Sequence, residues 1–295
     1  MTRACWFGLL LVISIGCWAS TVKGGIVVKD DLGNELVLSK PATRIISLSP
    51  HLTENLFSVG AGDRIIGVTR YSDYPQEAAL LPMVGDAQAL NTELIVSLKP
   101  DLIVAWADGG NLTTLAQLEK LGIPVYWSKP ITLLSIAREL TNLGALVGQP
   151  EVGQAVSLEF KAKLAELSKN QNKKRLAVFY QVWSNPLQTL NRNTLINSLI
   201  ELCGGENIFA NVNATVAQVD VESVVAADPD LILGSHVDDK TATWKDYWQQ
   251  WPSLSAVKRN HVISLNADTI SRHSVRVLDG AGAMCAQFDV VRAAR

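Results

Sequence analysis

The sequence has no excess of positive charge. Its 295 residues include 26 Lys and Arg against 28 Asp and Glu, a formal net charge of -2 at pH 7. A general nucleic-acid-binding protein needs a basic surplus to meet the phosphates, so this class is not favoured, although a local basic patch stays open. Hydrophobic residues make up 48% of the chain and charged residues 18%. That balance excludes an intrinsically disordered chain and allows a large core.

Motifs for catalysis are also missing. The sequence contains no Gly-x-Ser-x-Gly, no His-Glu-x-x-His and no phosphate-binding glycine loop. It has no Cys-x-x-Cys pair, which argues against redox catalysis and thiolate zinc sites. We therefore expect no enzyme. An exported hydrolase is the less favoured alternative, because no motif supplies a nucleophile and its base.

Long hydrophobic runs are rare too. One nearly unbroken run extends from Cys5 to Cys17, directly after the basic start Met1-Thr-Arg3. It is shorter than the roughly 20 apolar residues that span a bilayer. It predicts a secretory signal peptide over residues 1–19, cleaved near Ala19. A membrane anchor and a lipoprotein signal at Cys17 are less favoured alternatives, and the protein is expected to be exported.

Cysteine is scarce, with four in the chain, of which two lie in the predicted leader. Only Cys203 and Cys285 remain after it. Two cysteines in an oxidising compartment suggest one disulfide. Two buried thiols are the alternative.

The patterns that are present indicate an α/β protein. Short apolar runs typical of buried strands alternate with amphipathic helical segments in two separate series. Between the series, Pro150 begins a long amphipathic segment that a polar run at 169–174 ends. This predicts two lobes, each a mainly parallel sheet with flanking helices, joined by one long helix. The predicted bounds are a signal peptide at 1–19, an N-terminal lobe at 24–147, a linking helix at 148–172 and a C-terminal lobe at 173–295.

An internal repeat supports two lobes of related architecture. The segments that begin at Glu93 and Glu222 both read Glu-x-x-Val-x-x-x-Pro-Asp-Leu-Ile. Each joins a helical turn to an apolar triplet that suits a strand covered on both faces. A single αβ joint that recurs by chance is the alternative interpretation.

Aromatic side chains follow three of the predicted strands. Tyr71, Trp106 and Trp183 come directly after, or at the end of, separate apolar runs. Carboxyl ends of parallel strands share one edge of a sheet, where open α/β sheets place ligands. These residues therefore predict a site for a large, partly apolar ligand, with ordinary packing at strand ends as the alternative. Asp268 and Arg272 follow a later strand and add polar contacts or form a surface ion pair.

Histidines offer a second, less favoured site. His51 and His236 also follow predicted strands. A zinc site needs three or four converging ligands. Histidines that face solvent or make hydrogen bonds are the favoured interpretation, and a zinc carrier using His51, His236 or Tyr71 stays an alternative.

Several blocks resemble a known family. Arg44-Ile-Ile-Ser-Leu-Ser-Pro50, followed by Thr53-Glu54, resembles the substrate-binding proteins of siderophore, haem and cobalamin ABC importers. Tyr71-Ser-Asp-Tyr-Pro75 and Glu201-Leu-Cys-Gly-Gly-Glu-Asn-Ile-Phe209 are similar to the cobalamin-binding members. The resemblance runs from about residue 43 to the C-terminus.

The resemblance implies a function and a set of site residues. It implies a periplasmic monomer of the class III binding-protein fold, which captures cobalamin between its lobes and delivers it to an inner-membrane ABC permease with its ATPase. Cobalamin is then the transported ligand and no cofactor is needed. The implied disulfide joins Cys203 and Cys285, and Glu93 and Glu222 dock onto the permease. The implied and predicted ligand contacts together are Tyr71, Trp106, Trp183, Asp268, Thr269, Ile270, Ser271 and Arg272.

Some positions depart from the cobalamin-binding pattern. Ala87 and Val216 stand where those members have aromatic residues, and Thr269-Ile270 is less aromatic than their loop. The early hairpin over 26–38 is more typical of siderophore and haem members. A haem- or siderophore-binding protein of the same family is therefore the alternative function.

Overall fold

The structure is a computed structural model that describes residues 25–236 and 244–295. The predicted signal peptide at 1–19 lies outside the described residues. Within those two ranges, no helix is long and apolar enough to cross a membrane.

The first lobe is built on a parallel sheet of five strands in the order β5-β4-β3-β6-β7. Its central strands are apolar on both faces, as expected for a sheet covered by helices. The strands are β3 (Ile45–Ser47), β4 (Ile65–Thr69), β5 (Met83–Gly85), β6 (Leu102–Trp106) and β7 (Val125–Ser128). The helices that cover them are α1 (Pro50–Ser58), α2 (Thr92–Ser97), α3 (Leu112–Lys120) and α4 (Leu133–Leu146).

The predicted N-terminal hairpin is confirmed. Strand β1 (Ile26–Lys29) pairs antiparallel with β2 (Glu35–Leu38). The turn is closed by the Asp30 carboxylate, which accepts hydrogen bonds from the backbone N–H groups of Leu32 and Asn34 at 3.0 and 2.8 Å. Such Asx turns are the reason that Asp and Asn concentrate in tight turns.

A long helix, α5 (Pro150–Ser168), connects the two sheets and is followed by a short 3₁₀ turn. Its first half lies directly on α4, where a Cβ atom on Gly144 would come within 2.6 Å of the Gly153 Cα atom. Its second half contacts the second lobe, because Lys163 forms an ion pair with Asp279. The helix therefore contacts both lobes.

The second lobe contains a parallel sheet of four strands in the order β11-β8-β13-β14. Its strands are β8 (Leu176–Gln181), β11 (Gly205–Asn207), β13 (Leu231–His236) and β14 (Val262–Asn266). Its helices are α6 (Leu195–Leu202), α7 (Val221–Ala227), α8 (Trp244–Trp248), α9 (Ser255–Lys258), α10 (Ala267–Ser271) and α11 (Val277–Ala293). The α/β architecture with two parallel sheets and a linking helix agrees with the predicted fold class. The exact residue limits of the lobes stay a prediction.

A small antiparallel sheet in the second lobe is missed by the sequence analysis. It joins β9 (Trp183–Ser184), β10 (Leu187–Leu190) and β12 (Val216–Gln218) in the order β12-β10-β9. Strands of two to four residues carry almost no periodicity, so a pattern cannot distinguish them from loops.

The disulfide between Cys203 and Cys285 is present and links the end of α6 to α11. Its Cα atoms are 4.7 Å apart and the two residues are separated by 82 positions in sequence. The alternative of two buried thiols is wrong.

Local contacts set where two of the helices begin. Helix α4 begins at Leu133, because the Thr132 side chain accepts a hydrogen bond from the Ser135 backbone N–H and Ser135 reciprocates. Helix α11 begins at Val277, because residues 274–276 bond to the first lobe instead of continuing the helix.

Candidate functional site

A cleft of about 790 Å³ lies between the two lobes. It contains Trp106, the last residue of β6, and therefore lies at the carboxyl ends of the first sheet. The volume falls in the range of small-molecule sites. The lining side chains are those of Trp106, Asp108, Lys129, Pro130, Ile131, Leu190, Asn193, Thr194, Leu195, Ile196, Thr215, Ser271 and His273.

The two charged side chains of this lining form an ion pair with each other. The Lys129 Nζ atom is 2.8 Å from the Asp108 carboxylate. The other lining residues are apolar or neutral and polar, apart from the imidazole of His273. The cleft thus offers flat apolar surface with hydrogen-bonding groups from both lobes.

Three rings from the two lobes meet at the cleft. His51 and Trp106 belong to the first lobe, and their ring centroids are 5.6 Å apart. His273 belongs to the second lobe and lies 5.7 Å from His51 and 6.2 Å from Trp106. The His51 Nδ1 atom is 2.6 Å from the Ser49 hydroxyl. Its Nε2 atom is buried and has no hydrogen-bond partner in the described part of the chain.

Burial keeps both imidazoles neutral. Desolvation lowers the pKa of His51 well below its usual value, and the nearby His273 lowers it further. Desolvation also lowers the pKa of His273 to about 4, against a smaller opposing effect of Asp108. Neutral imidazoles keep one nitrogen lone pair free for a ligand or a hydrogen bond.

A buried carboxylate of the first lobe binds the segment that carries His273. Glu54 accepts hydrogen bonds from Arg272 at 2.8 Å, from Arg276 at 3.2 Å and from the Ser274 hydroxyl at 2.5 Å. The Glu54 side chain is 1% exposed. A buried charge needs such complete pairing, so this carboxylate ties the lobes together beside the cleft.

The neighbouring residue Asn55 makes a second connection. Its Nδ2 atom donates to Glu139 at 2.8 Å and to the His273 carbonyl at 3.1 Å, while its Oδ1 atom accepts from the Val275 N–H. Glu139 also accepts a hydrogen bond from Ser128. Burial raises the pKa of Glu139 to about 7, although both hydrogen bonds oppose this shift.

The predicted loop Asp268–Arg272 is largely a short helix, α10. Ser271 lines the cleft, whereas Ile270 is fully buried in the core. The Thr269 hydroxyl donates to the Asn266 carbonyl. Arg272 forms ion pairs with Glu54, with Asp73 at 2.9 Å and with Asp268 at 2.8 Å. Asp268 and Arg272 thus form an ion pair with each other, and their role as ligand contacts stays a prediction.

Of the three predicted aromatic residues, one is among the residues that line the cleft. Trp106 lines the cleft, while Tyr71 is 70% exposed and Trp183 is 62% exposed. The Trp183 indole donates to the Asn185 carbonyl. Neither Tyr71 nor Trp183 is part of the cleft lining, so their role as ligand contacts stays a prediction.

Glu93 and Glu222 occupy equivalent places in the two lobes. Each is exposed and lies in the first turn of a short helix, α2 or α7, that leads into a central strand. A helix that precedes its strand runs antiparallel to it, so the first turn lies at the strand's carboxyl end. Both glutamates are therefore on the side of the sheets that carries the cleft.

The residues that sequence analysis missed are His273 and two of the partners of Glu54, Ser274 and Arg276. His273 is 222 positions from His51, so no local pattern joins them. His236 ends β13, and its side chain lies outside the described residues. Among the residues that the structure describes, no group of three or more His, Cys, Asp or Glu could hold a metal ion.

Comparisons with known proteins identify relatives that match most of the chain. The chain is 38% identical over 257 residues to a vitamin B12-binding protein of Vibrio campbellii, covering 86% of this chain and 92% of the relative. It is 36% identical over 251 residues to a vitamin B12-binding protein of Pectobacterium atrosepticum, covering 83% and 88%.

Solved structures show the same architecture. The periplasmic vitamin B12-binding protein of Vibrio cholerae superposes with a TM-score of 0.78 at 36% identity, covering 85% of this chain and 98% of that one. A periplasmic haem-binding protein of Roseiflexus has a TM-score of 0.75 at 24% identity, covering 85% and 99%, and shows the fold alone.

The family model for periplasmic binding proteins matches residues 45–269, which include both parallel sheets. This match covers well over half of the chain and agrees with the relatives in sequence and in fold. The chain belongs to the periplasmic binding protein family.

Proposed function

We propose that this protein captures cobalamin in the cleft between its lobes and delivers it to the permease of an ABC importer in the inner membrane. The observation that carries the proposal is 38% identity to a vitamin B12-binding protein over 86% of the chain. The cleft supports it, because Trp106 and the apolar lining suit a large, rigid ring system. The role is one of binding, and cobalamin is cargo rather than a cofactor.

Calorimetric titration of the exported protein with cyanocobalamin, with haem as the comparison, tests the ligand. We expect one-to-one cobalamin binding below micromolar Kd, because a rigid ligand loses little conformational entropy on binding. Firm haem binding without cobalamin binding would instead support the alternative ligand. That alternative is motivated by Ala87 and Val216, which replace aromatic residues of the cobalamin-binding pattern and are exposed here.

Variants of the aromatic residues test the site itself. Trp106→Ala is expected to weaken cobalamin binding by about 2 kcal/mol, roughly thirtyfold, as for a buried aromatic anchor. Tyr71→Ala is expected to weaken it less, because the side chain is mostly exposed. Leu80→Ala removes another exposed side chain of the same lobe and is the control. Unchanged affinity in Trp106→Ala would remove this residue from the site.

We further propose that Glu93 and Glu222 dock onto the permease. The support is their exposed, equivalent placement on the cleft side of each lobe. Charged groups at a rim set the register of weak docking without burying large surfaces. The double variant Glu93→Lys with Glu222→Lys should abolish cobalamin uptake by cells and leave affinity in solution unchanged.

The matched control reverses two exposed charges elsewhere. Glu151→Lys with Glu166→Lys changes the net charge equally, but both residues lie on the linking helix α5. Uptake with this control is expected to be normal. Normal uptake with the Glu93 and Glu222 reversal would contradict the docking proposal.

A further inference from the structure

One imidazole in the cleft makes ring contacts but leaves its nitrogens unbonded within the described residues. His273 lines the cleft, and its ring nitrogens make no hydrogen bond within the described part of the chain. The backbone around it is firmly held, because Asn55 donates to its carbonyl and Ser274, the next residue, donates to Glu54. A well-positioned polar ring that the protein itself leaves unbonded is a group available to a ligand.

The neighbouring histidine, His51, also has a nitrogen without a hydrogen-bond partner among the described residues. The Nδ1 atom of His51 is bonded to Ser49, but its buried Nε2 atom has no partner among the described residues. The centroids of the two imidazoles are 5.7 Å apart. At this separation, rotation of the His273 side chain can direct one of its nitrogens toward the His51 Nε2 atom, and the other nitrogen, on a different edge of the ring, then points away from His51.

This pair cannot hold a free metal ion. Sites for free zinc use three or four protein ligands, and no such group exists among residues 25–236 and 244–295. A metal that is already held in the plane of a tetrapyrrole needs only one axial ligand from the protein. Imidazole nitrogen is a common ligand for first-row transition metals.

We propose that His273 coordinates the metal of a corrinoid in the cleft, at an axial position that carries exchangeable water, and that His51 accepts a hydrogen bond from the other ring nitrogen. This inference rests on the proposed function. Metal-bound histidines almost always donate their second N–H to such an acceptor, which fixes the ring. His51 is therefore a positioning residue, and its unbonded Nε2 atom acquires a partner.

The exchange of axial ligands at cobalt needs no oxidant or reductant. The bond between cobalt and water breaks, a bond between cobalt and the His273 nitrogen forms, and water leaves the cleft. The oxidation state of cobalt does not change, and the N–H proton of His273 stays on the ring. In cyanocobalamin the same position is occupied by cyanide, which imidazole does not displace.

The test is an absorption titration of the protein with aquocobalamin and, separately, with cyanocobalamin. We expect the visible band of the cobalt centre to shift with aquocobalamin only, and aquocobalamin to bind roughly tenfold or more tightly than cyanocobalamin, because the tethered imidazole acts at high effective concentration. In His273→Gln the shift is lost, and the affinity for aquocobalamin falls to that for cyanocobalamin.

Further variants separate coordination from folding. His261→Gln removes a buried histidine that precedes β14, at the end of the sheet away from the cleft, and should keep the shift. His51→Phe, which keeps a ring but removes the acceptor, should weaken aquocobalamin binding, and His51→Gln should restore part of it.

The possible results distinguish the two proposals. Cyanocobalamin binding without any spectral shift for aquocobalamin would overturn coordination by His273 and leave the proposed function standing. A shift that persists in His273→Gln would also overturn it. Binding of neither corrinoid would overturn both proposals.

Discussion

The two lobes bury different kinds of groups, although both are built on a parallel sheet. In the first lobe, residues 51–56 of helix α1 are all buried, and they include His51, Glu54 and Asn55. In the second lobe, the buried groups include the disulfide and aromatic rings that pack around Trp248. Two of the polar groups of α1, Glu54 and Asn55, bond to the second lobe at residues 272–276. Buried polar groups of the first lobe thus depend on the second lobe for hydrogen bonds, whereas the disulfide and the rings around Trp248 pair within the second lobe itself.

The largest expected effect on stability comes from removing the disulfide of the second lobe. Replacing Cys203 and Cys285 together by serine should lower the free energy of unfolding by about 4–5 kcal/mol, because the bond closes a loop of 82 residues. Urea denaturation at pH 7 measures this loss. Hydrogen exchange should show it mainly in α6 and α11. A loss below about 1 kcal/mol would contradict the importance of the disulfide for this lobe.

The next effect concerns the contact between the lobes. Glu54→Ala should cost about 3 kcal/mol in urea denaturation, because it leaves Arg272 and Arg276 beside a buried site without their shared carboxylate. Glu166→Ala removes a carboxylate from an exposed ion pair with Lys169 and should cost less than about 0.5 kcal/mol. Equal losses in the two variants would mean that Glu54 contributes no more than a surface charge.

The smallest expected effect is a pH dependence located in the first lobe. The folded pKa of Glu139, about 7, lies above its value in the unfolded chain. The folded state therefore binds the proton more tightly, and its stabilisation is complete below the unfolded pKa and lost as the pH rises to about 7. The loss amounts to roughly 1–3 kcal/mol.

Glu139→Gln tests this assignment. The glutamine can accept from Asn55 and donate to Ser128, so the hydrogen bonds around this position are kept. Unfolding free energies of both proteins, measured between about pH 5 and 8, should show a flatter dependence in the variant. An unchanged slope would assign the pH dependence to other groups.

Most of the fold could be predicted from the sequence, because the signals for helices and strands are local. Helix α5 begins at Pro150, as predicted, and the repeated segments at Glu93 and Glu222 each form a helix followed by a strand. Apolar periodicity and helix caps act over a few residues, so the chain itself displays them. The short strands β9 and β12 have too few residues for such a signal.

The site was predictable only in part, because its residues are distant in sequence. Trp106 was found from its place at the end of a strand and does line the cleft. The contacts of Glu54 with Arg272 and of His51 with His273 span 218 and 222 positions, and no local rule relates them. Fractional exposure, which separates Trp106 from Tyr71 and Trp183, also depends on tertiary packing.

The linking helix α5 has a mechanical consequence. Its first half is pressed onto α4 at Gly144 and Gly153, and its second half is tied to α11 through Lys163 and Asp279. Because the helix is held at both ends, a change in the angle between the lobes requires the helix to bend. We expect the empty and loaded forms to differ little in shape. The free energy of capture then goes into contacts with the ligand rather than into closing a hinge.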